Sequence, residues 1–243
     1  TLVRTFASTD GRVQLVASKN TAGRMMALCE NSDGLPVINR STDGFATVNT
    51  SVSLPVSIGV QPPAANDFCR NQAFYDLLIG MNPTNDNEVY VGGIEIFRTT
   101  TAFTGTTSAM WTQHTDWTVN PTDTGNTAAN SLDGVHSDHH VIAFAPGLSS
   151  RVVFGNDGGI YYSNDSGNSI GVRNNGYNVT QFYKGAINQT GTQKLLAGAQ
   201  DNGSQLISPA PVGAGSSFDL FGGDGCWEFI DKQNDFMVIS YVY

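Results

Sequence analysis

Five aspartates stand where short apolar segments begin or where glycine-rich turns follow them. They are Asp76, Asp138, Asp157, Asp201 and Asp224. Two facing carboxylates can act as acid and base on a glycosidic bond, at about 5–5.5 Å apart for retention or about 6.5–9.5 Å for inversion. Asp-Gly and Asn-Gly pairs are also the commonest residues of tight turns. The residue types therefore predict either a catalytic pair or ordinary turn chemistry.

A His-x-Asp-x-His run places His136, Asp138 and His140 at alternate positions. On an extended strand such residues share a face about 6.6 Å apart, so the outer two are about 13 Å apart. Zinc–nitrogen bonds of about 2.0–2.1 Å cannot span that distance. No Cys-x-x-Cys pair or Cys/His metal spacing occurs either, so we predict no metal and no cofactor. We predict that His136 and His140 bind a glycan or join a polar network, with a hydrogen-bonded turn or a two-ligand metal site as alternatives.

Amide and aromatic side chains beside these turns complete the predicted ligand-binding residues. Asn156 and Asn202 adjoin Asp157 and Asp201, and Trp227 closely follows a Gly-Gly-Asp-Gly turn. An indole ring can stack on the apolar face of a sugar, so we predict that Trp227 binds carbohydrate, and packing between structural repeats is the alternative. Sialidase chemistry is disfavoured because the arginines are scattered and form no cluster for a substrate carboxylate.

The composition limits the partners and favours strands over helices. The chain has 243 residues and a formal net charge of −9, and only 14% of its residues are charged. The negative charge disfavours nucleic acid and anionic lipid as partners. No run of roughly 18 apolar residues occurs, so we predict no membrane insertion. The 27 glycines, together with abundant Asn, Thr and Ser, predict many short strands joined by tight turns.

A recurring strand–turn–strand unit supplies the elements that position these residues. Two copies end in Asp/Asn/Gly turns, in which Asp157 and Asp201 are 44 residues apart. Further copies lie near residues 88–93 and 235–241, and each is preceded by another short strand across a polar turn. A repeat of about 40–45 residues is typical of a four-stranded propeller blade.

The repeat predicts an all-β fold, a β-propeller of four-stranded antiparallel blades. The predicted blades cover residues 11–55, 70–115, 136–175, 180–220 and 225–243. Closed propellers have about 4–8 blades, and the chain ends within a strand pattern. We therefore interpret residues 1–243 as a single propeller segment, an excerpt with about four and a half blades of a larger propeller. The remaining blades of the parent protein are then partners of this chain, and a closed propeller with few blades is the alternative.

A Ser-x-Asp motif with a nearby glycine follows two of the strands. Ser163-Asn-Asp-Ser-Gly-Asn-Ser169 resembles the Asp-box of BNR-repeat, sortilin-like and sialidase-like propellers. That box reads Ser-x-Asp-x-Gly-x-Thr-Trp, and here Ile170 replaces the tryptophan. The copy at residues 41–48, Ser-Thr-Asp-Gly-Phe-Ala-Thr-Val, keeps the serine, the aspartate and the threonine, but its glycine is out of register.

Four phrases in a fixed order extend this resemblance over most of the chain. They are His136-Ser-Asp-His-His140, Gly155-Asn-Asp-Gly-Gly-Ile-Tyr161, Ala199-Gln-Asp-Asn-Gly203 and Gly222-Gly-Asp-Gly225. Together with the Asp-box they resemble large secreted bacterial BNR-repeat proteins of the glycosyl-hydrolase-like kind. The resemblance implies a protein that is secreted or held at the cell surface.

The sequence contains no persuasive catalytic constellation, which favours a binding function over catalysis. The first hypothesis is a secreted or cell-surface propeller module that binds glycans or a protein partner, as part of a large adhesin or attachment protein. The alternative is a glycoside hydrolase that acts on a polysaccharide through two of the five aspartates. A purely structural module of a very large surface protein is the third hypothesis.

Overall fold

A computed structural model shows an all-β chain built from consecutive antiparallel sheets. The structure describes residues 11–47, 51–58, 67–119, 132–177, 179–190, 194–208, 217–233 and 236–241. Within each sheet the strands pair in the order in which they follow along the chain. Four such sheets have four strands, and one has two. This arrangement confirms the predicted fold class, a β-propeller of four-stranded antiparallel blades, of which the chain carries about four and a half.

The strands group into four blades and a half-blade. Blade 1 contains β1 (Val13–Ala17), β2 (Met25–Glu30), β3 (Pro36–Ser41) and β4 (Ser51–Val52). Blade 2 contains β5 (Leu78–Asn82), β6 (Asn85–Gly92), β7 (Ile96–Thr99) and β8 (Trp111–Gln113), with a 3₁₀ turn at Ser108–Met110. Blade 3 contains β9 (His139–Ala145), β10 (Leu148–Asn156), β11 (Gly159–Ser163) and β12 (Gly171–Val172). Blade 4 contains β13 (Phe182–Ile187), β14 (Leu195–Ala199), β15 (Gly203–Ile207) and β16 (Phe218–Phe221), and the half-blade contains β17 (Gly225–Ile230) and β18 (Met237–Tyr241).

The chain divides into two compact units. Unit 1, residues 1–174, carries blades 1 to 3, and unit 2, residues 175–243, carries blade 4 and the half-blade. Among the described residues, no helix has the length and apolar character needed to cross a membrane.

In unit 1, blade 2 is buried on both of its faces. Successive side chains of a strand point to opposite faces of the sheet. In β6, Val89 and Val91 pack in one core cluster with Ile38 of blade 1. Tyr90, between them, packs in a second cluster with Phe154 of blade 3. Since both faces are covered, β6 has consecutive apolar residues where a half-exposed strand would alternate.

The first strands of blades 2 and 3 lie against each other. Gly80 of β5 faces Ile142 of β9, and a Cβ atom at Gly80 would lie 2.4 Å from Ile142 Cγ2. Glycine therefore permits this close approach. The polar turns that precede the two strands are brought together as a result.

Both Asp-box-like turns of unit 1 have the same hydrogen bonds. The hydroxyl of Ser163 accepts the backbone N–H of Gly167 at 2.7 Å, and that of Ser41 accepts the N–H of Phe45 at 2.7 Å. Gly167 has φ 79° and Phe45 has φ 61°, and the residue before each is also left-handed. The out-of-register glycine, Gly44, therefore occupies the first of two left-handed positions, and Phe45 takes the second.

Unit 2 has a small core and a large exposed apolar area. Leu196, Ala199 and Ile230 are buried. Gly198 of β14 lies so close to β17 that a Cβ atom there would be 2.6 Å from the carbonyl oxygen of Cys226. The large apolar side chains that remain exposed in the described part of unit 2 are Tyr177, Val179, Phe182, Tyr183, Ile187, Phe218, Leu220, Phe221, Trp227, Phe229, Phe236, Met237, Val238 and Tyr241.

Candidate functional site

Polar side chains of unit 1 meet beside the beginnings of β5 and β9. Three of the predicted aspartates belong to this group, which we name the acidic cluster. Its members are Gln72, Tyr75, Asp76, Asp138, His140 and Asp157. The first three come from the turn before β5, the next two from the start of β9, and Asp157 from the tight turn between β10 and β11.

The turn before β5 is stabilised by its own polar groups. The carboxylate of Asp67 accepts the backbone N–H of Asn71 at 2.6 Å, and Asn71 has a left-handed φ of 62°. The carbonyl oxygen of Gln72 then accepts the N–H groups of Tyr75 at 2.7 Å and of Asp76 at 3.0 Å. These bonds fix Gln72, Tyr75 and Asp76 in one compact turn that faces the start of β9.

Asp157 is held by two neighbours of different chemistry. Its Oδ2 atom accepts the hydroxyl proton of Tyr75 at 2.6 Å, and its Oδ1 atom lies 2.8 Å from Nε2 of His140. The tyrosine and histidine rings meet edge to face, with their centroids 4.8 Å apart. Both contacts fix the orientation of the Asp157 carboxylate.

Asp138 approaches Asp157 closely from the start of β9. One carboxylate oxygen of each residue lies within 4.8 Å of the other. Asp138 has a left-handed φ of 63° and accepts a hydrogen bond from Nε2 of Gln72 at 3.0 Å. Burial, and then the negative charge of Asp157, raise the pKa of Asp138. The two carboxylates therefore differ in environment although they are neighbours.

Asp76 is the most deeply placed acid of the cluster. Its side chain is fully buried, and neither carboxylate oxygen has a hydrogen-bond partner on another described residue. Burial, and then the negative charges of Asp138 and Asp157, raise the pKa of Asp76 to about 9, while Arg12 opposes the shift weakly. Asp76 therefore carries a proton at neutral pH.

His136 and His139, the other histidines near the cluster, are packed against neighbouring residues. His139 is fully buried, and burial, followed by the charges of His136 and His140, lowers its pKa to about 3, so its ring is neutral. The ring of His136 covers Gly158, where a Cβ atom would lie 2.4 Å from it. The side-chain amide of Asn156 donates to the His136 carbonyl oxygen at 2.7 Å. Asn156 and His136 thus stabilise the turn that presents Asp157.

Unit 2 holds the other predicted residues. Asp224 accepts the backbone N–H of Asp201 at 2.8 Å, and Asn202 donates its amide to the Gln200 carbonyl oxygen at 2.9 Å. Desolvation, and then the negative charge of Asp224, raise the pKa of Tyr183.

Trp227 is an accessible aromatic surface on β17 of unit 2. The residue is 68% exposed in the described part of the chain, so its indole ring does not fill a gap in the core. The ammonium group of Lys184 lies over the ring, 4.4 Å from its centroid. This cation–π contact holds a positive charge beside the ring.

The structure brings predicted residues together within each unit. Asp76, Asp138 and Asp157 come together in unit 1, and Asp201 contacts Asp224 in unit 2. Sequence reasoning missed Gln72 and Tyr75, which bind two of the aspartates. The signal that was available is the position of Tyr75 directly before Asp76, at the start of the recurring strand unit.

Comparisons with known proteins give fold neighbours only. No protein-family model and no curated protein sequence matches the chain. Solved structures similar to it include a GH74 xyloglucanase from Xanthomonas campestris (TM-score 0.43, 14% identity), a GH74 enzyme of Niastella koreensis (0.41, 14%) and an ancestral GH74 enzyme (0.41, 10%). The matches cover 90%, 93% and 98% of this chain, but 33%, 33% and 30% of those structures, so the chain spans about a third of their length. Similarity of this degree carries no argument about chemistry, and the fold assignment rests on the strand pairing.

Proposed function

We propose that this chain is a glycan-binding β-propeller module of an exported or cell-surface protein. The observation that carries the proposal is an accessible aromatic pair beside a hydrogen-bonded carboxylate in unit 1. Phe74 is 64% exposed, and its ring centroid lies 6.4 Å from that of Tyr75, whose hydroxyl binds Asp157. Aromatic rings cover the apolar faces of sugars, while carboxylate and imidazole groups bind their hydroxyls.

Unit 2 offers a second surface with the same chemistry. Trp227 and Tyr183 are both exposed, and the carboxylates of Asp201 and Asp224 lie close enough to Tyr183 to raise its pKa. A polysaccharide has many equivalent sugar units, so an aromatic surface on each unit increases the avidity of the chain.

The turns and the charge of the chain also bear on the kind of protein to which it belongs. We infer that this chain belongs to a BNR-repeat propeller protein of the adhesin or attachment kind. The two Asp-box-like turns and the negative net charge support that inference. The exposed apolar side chains of unit 2 would pack against the remaining blades.

Binding to immobilised plant, algal and host polysaccharides tests this proposal. We expect saturable binding by the unaltered chain, and an affinity at least tenfold weaker for Phe74→Ala. Phe218→Ala removes an equally exposed phenylalanine on β16 of unit 2 and serves as the matched control. The proposal is wrong if no polysaccharide is retained, or if both variants lose binding equally.

A glycoside hydrolase is the second candidate, and the pair Asp138 and Asp157 supports it. Their carboxylate oxygens lie within 4.8 Å, nearer to the about 5–5.5 Å of a retaining pair than to the about 6.5–9.5 Å of an inverting one. Burial raises the pKa of Asp138, as required of a general acid, and Tyr75 and His140 orient the Asp157 carboxylate beside it. Release of reducing sugar that disappears in both Asp138→Asn and Asp157→Asn would establish this activity, and binding without release would exclude it for the polysaccharides tested.

A further inference from the structure

A cavity of about 200 Å³ lies on blade 3, where β12 follows the Asp-box-like turn at the end of β11. It is lined by Tyr162, Asn164, Ser169, Ile170, Gly171 and Arg173. None of these residues is acidic, although the chain has 21 acidic residues against 12 lysines and arginines. Pockets for drug-sized ligands are typically about 300–1,000 Å³, so this smaller cavity matches a ligand with the size of a single sugar ring.

The guanidinium group of Arg173 is held at this cavity by its neighbours. The backbone N–H of Arg173 donates to the carbonyl oxygen of Ile160 at 2.8 Å, which joins the end of β12 to β11. Its Nη1 atom donates to the Val172 carbonyl oxygen at 2.8 Å, and its Cζ atom lies 5.4 Å from the ring centroid of Tyr162. The hydrogen bond and the cation–π contact order the side chain before a ligand arrives, which lowers the entropic cost of binding.

The positive charge of Arg173 has no carboxylate partner among the described residues. Within that part of the chain, only one of its five guanidinium N–H donors is used. The remaining donors form a planar fork that fits the two oxygens of a carboxylate. Asp165 of the adjacent turn does not line the cavity, and its two oxygens accept the N–H and the hydroxyl of Ser169, each at 2.9 Å.

Two further side chains of the cavity can bind hydroxyl groups. The side-chain amide of Asn164 is exposed and forms no hydrogen bond with another described residue, so it offers both donors and an acceptor. The hydroxyl of Ser169 donates to Asp165 and keeps its lone pairs as acceptors. Sugar hydroxyls donate and accept in the same way, whereas an inorganic anion would use only donors.

We propose that this cavity binds a uronic acid residue of an acidic polysaccharide. Arg173 binds the carboxylate of the sugar, and Asn164 and Ser169 bind its hydroxyls. The inference rests on the proposed glycan function and names the class of glycan that this cavity takes. The net charge of −9 gives the chain no general attraction for an acidic polymer, so recognition depends on this one ordered cation.

Calorimetric titration with tetramers of galacturonic, glucuronic or mannuronic acid tests the proposal. We expect saturable binding of at least one tetramer, and an affinity at least tenfold weaker for its methyl ester, which keeps the rings but loses the charges. Arg173→Gln should weaken binding of the acid at least tenfold. Arg173→Lys should also weaken it, because an ammonium group keeps the charge but lacks the planar fork.

Lys19→Gln is the matched control for charge, since it removes one positive charge from an exposed turn of blade 1. Its affinity for the acid tetramer should stay close to that of the unaltered chain. Arg173 is exposed, so its variants should fold, and circular dichroism before each titration checks that they do.

Modification by phenylglyoxal, which reacts with guanidinium groups, provides a second measurement on the unaltered chain. The acid tetramer should slow modification of Arg173 severalfold, as followed by mass spectrometry of peptides, whereas the methyl ester should not. Arg24 of blade 1, which is paired with Asp86, should react at the same rate with either sugar present.

Four results would overturn the proposal: no binding of any uronate tetramer, equal binding of acid and ester, equal weakening by Arg173→Gln and Lys19→Gln, or tighter binding of a sulfated neutral tetramer. Phe74 does not line the cavity, so Phe74→Ala should still distinguish the acid from the ester. A chain that binds neutral polysaccharides but does not distinguish acid from ester would keep the function proposed above and lose this site.

Discussion

Glu95 and Asp76 are two acids whose protonation is decided by burial. Glu95 is 3% exposed and accepts the hydroxyl of Thr115 at 2.7 Å and the N–H of Trp117 at 3.1 Å. Burial outweighs these bonds and raises the pKa of Glu95 to about 8, while the pKa of Asp76, which has no such bonds to other described residues, reaches about 9. Both acids are therefore largely protonated at neutral pH, and the folded chain is less negative than its formal net charge of −9.

Glu95 makes the stability of the fold depend on pH in a defined direction. Between its ordinary pKa of 4.5 and about 8, folded Glu95 keeps a proton that the unfolded chain has released. Unfolding then releases a proton, so the free energy of unfolding falls as the pH rises through this window. We expect Glu95→Gln to reduce the loss between pH 5 and pH 8 by on the order of 3 kcal/mol.

Urea denaturation at both pH values measures this effect. Asp33→Asn, which changes an exposed carboxylate, should leave the difference between the two pH values unaltered. Part of the pH dependence should persist in Glu95→Gln because Asp76 also keeps its proton. An identical difference in the unaltered chain and Glu95→Gln would contradict the assignment of a raised pKa to Glu95.

The two Asp-box-like turns place the same two requirements on their residues. Each turn needs a hydroxyl that accepts a backbone N–H four residues later, supplied by Ser41 and Ser163. Each also needs two successive left-handed residues, but the glycine may be either the first or the second. The backbone pattern therefore tolerates the displaced glycine of the copy at residues 41–48, which the sequence motif alone does not.

Removing the hydroxyl of Ser163 should destabilise blade 3. In Ser163→Ala the backbone N–H of Gly167 loses its acceptor inside a buried turn, which costs about 1–3 kcal/mol. Ser41→Ala should have a similar effect on blade 1, because the same bond is lost there. Ser32→Ala, at an exposed turn, is the control. Denaturation in urea checks all three, and equal midpoints for Ser163→Ala and Ser32→Ala would refute this role of the hydroxyl.

Gly44 and Gly167, the glycines of the two Asp-box-like turns, should respond differently to substitution by alanine. Both are left-handed, so alanine costs each about 1 kcal/mol. A Cβ atom at Gly167 would also lie 3.3 Å from Cε1 of Tyr90, whereas none of the described atoms lies within 4 Å of one at Gly44. We expect Gly167→Ala to lower the melting temperature more than Gly44→Ala, as measured by calorimetry. The reverse order would show that the contact with Tyr90 is easily relieved.

At the scale of the whole molecule, apolar burial is unevenly distributed. All three core clusters of the described residues lie in unit 1. Unit 2 buries few apolar side chains and exposes many, including Phe229 and Phe236, whose ring centroids are 6.1 Å apart. Contiguous exposed apolar area is uncommon in monomeric proteins and marks surfaces that bind other protein.

The exposed apolar side chains of unit 2 should make copies of the isolated chain associate. We expect sedimentation velocity to show dimers and larger species, and the double variant Phe229→Ser with Phe236→Ser to shift the distribution toward monomer. Val56→Ser, at an exposed apolar side chain of unit 1, should not change it. A purely monomeric unaltered chain would contradict the interpretation of this surface.

The strands could be predicted from the sequence because their signals are local. Apolar segments and Asx/Gly turns indicated strands near residues 88–93 and 235–241, and the structure has Asn85–Gly92 and Met237–Tyr241. The composition of the acidic cluster could be predicted only in part. Asp76, Asp138 and Asp157 were each candidates, but their meeting depends on the packing of β5 against β9, which involves residues 62 positions apart. Long-range packing leaves no local signal in the sequence.

The double burial of blade 2 has a consequence for synthesis in the cell. When a ribosome releases the chain from its amino end, β6 can first cover Val89 and Val91 against blade 1. The side of Tyr90 that packs against blade 3 stays exposed to solvent until Phe154 has been translated. During that interval the nascent chain displays an apolar strand face to chaperones and to neighbouring nascent chains. Blade 2 therefore depends on the third blade to cover this face, and the chain is open to misassembly until that blade has folded.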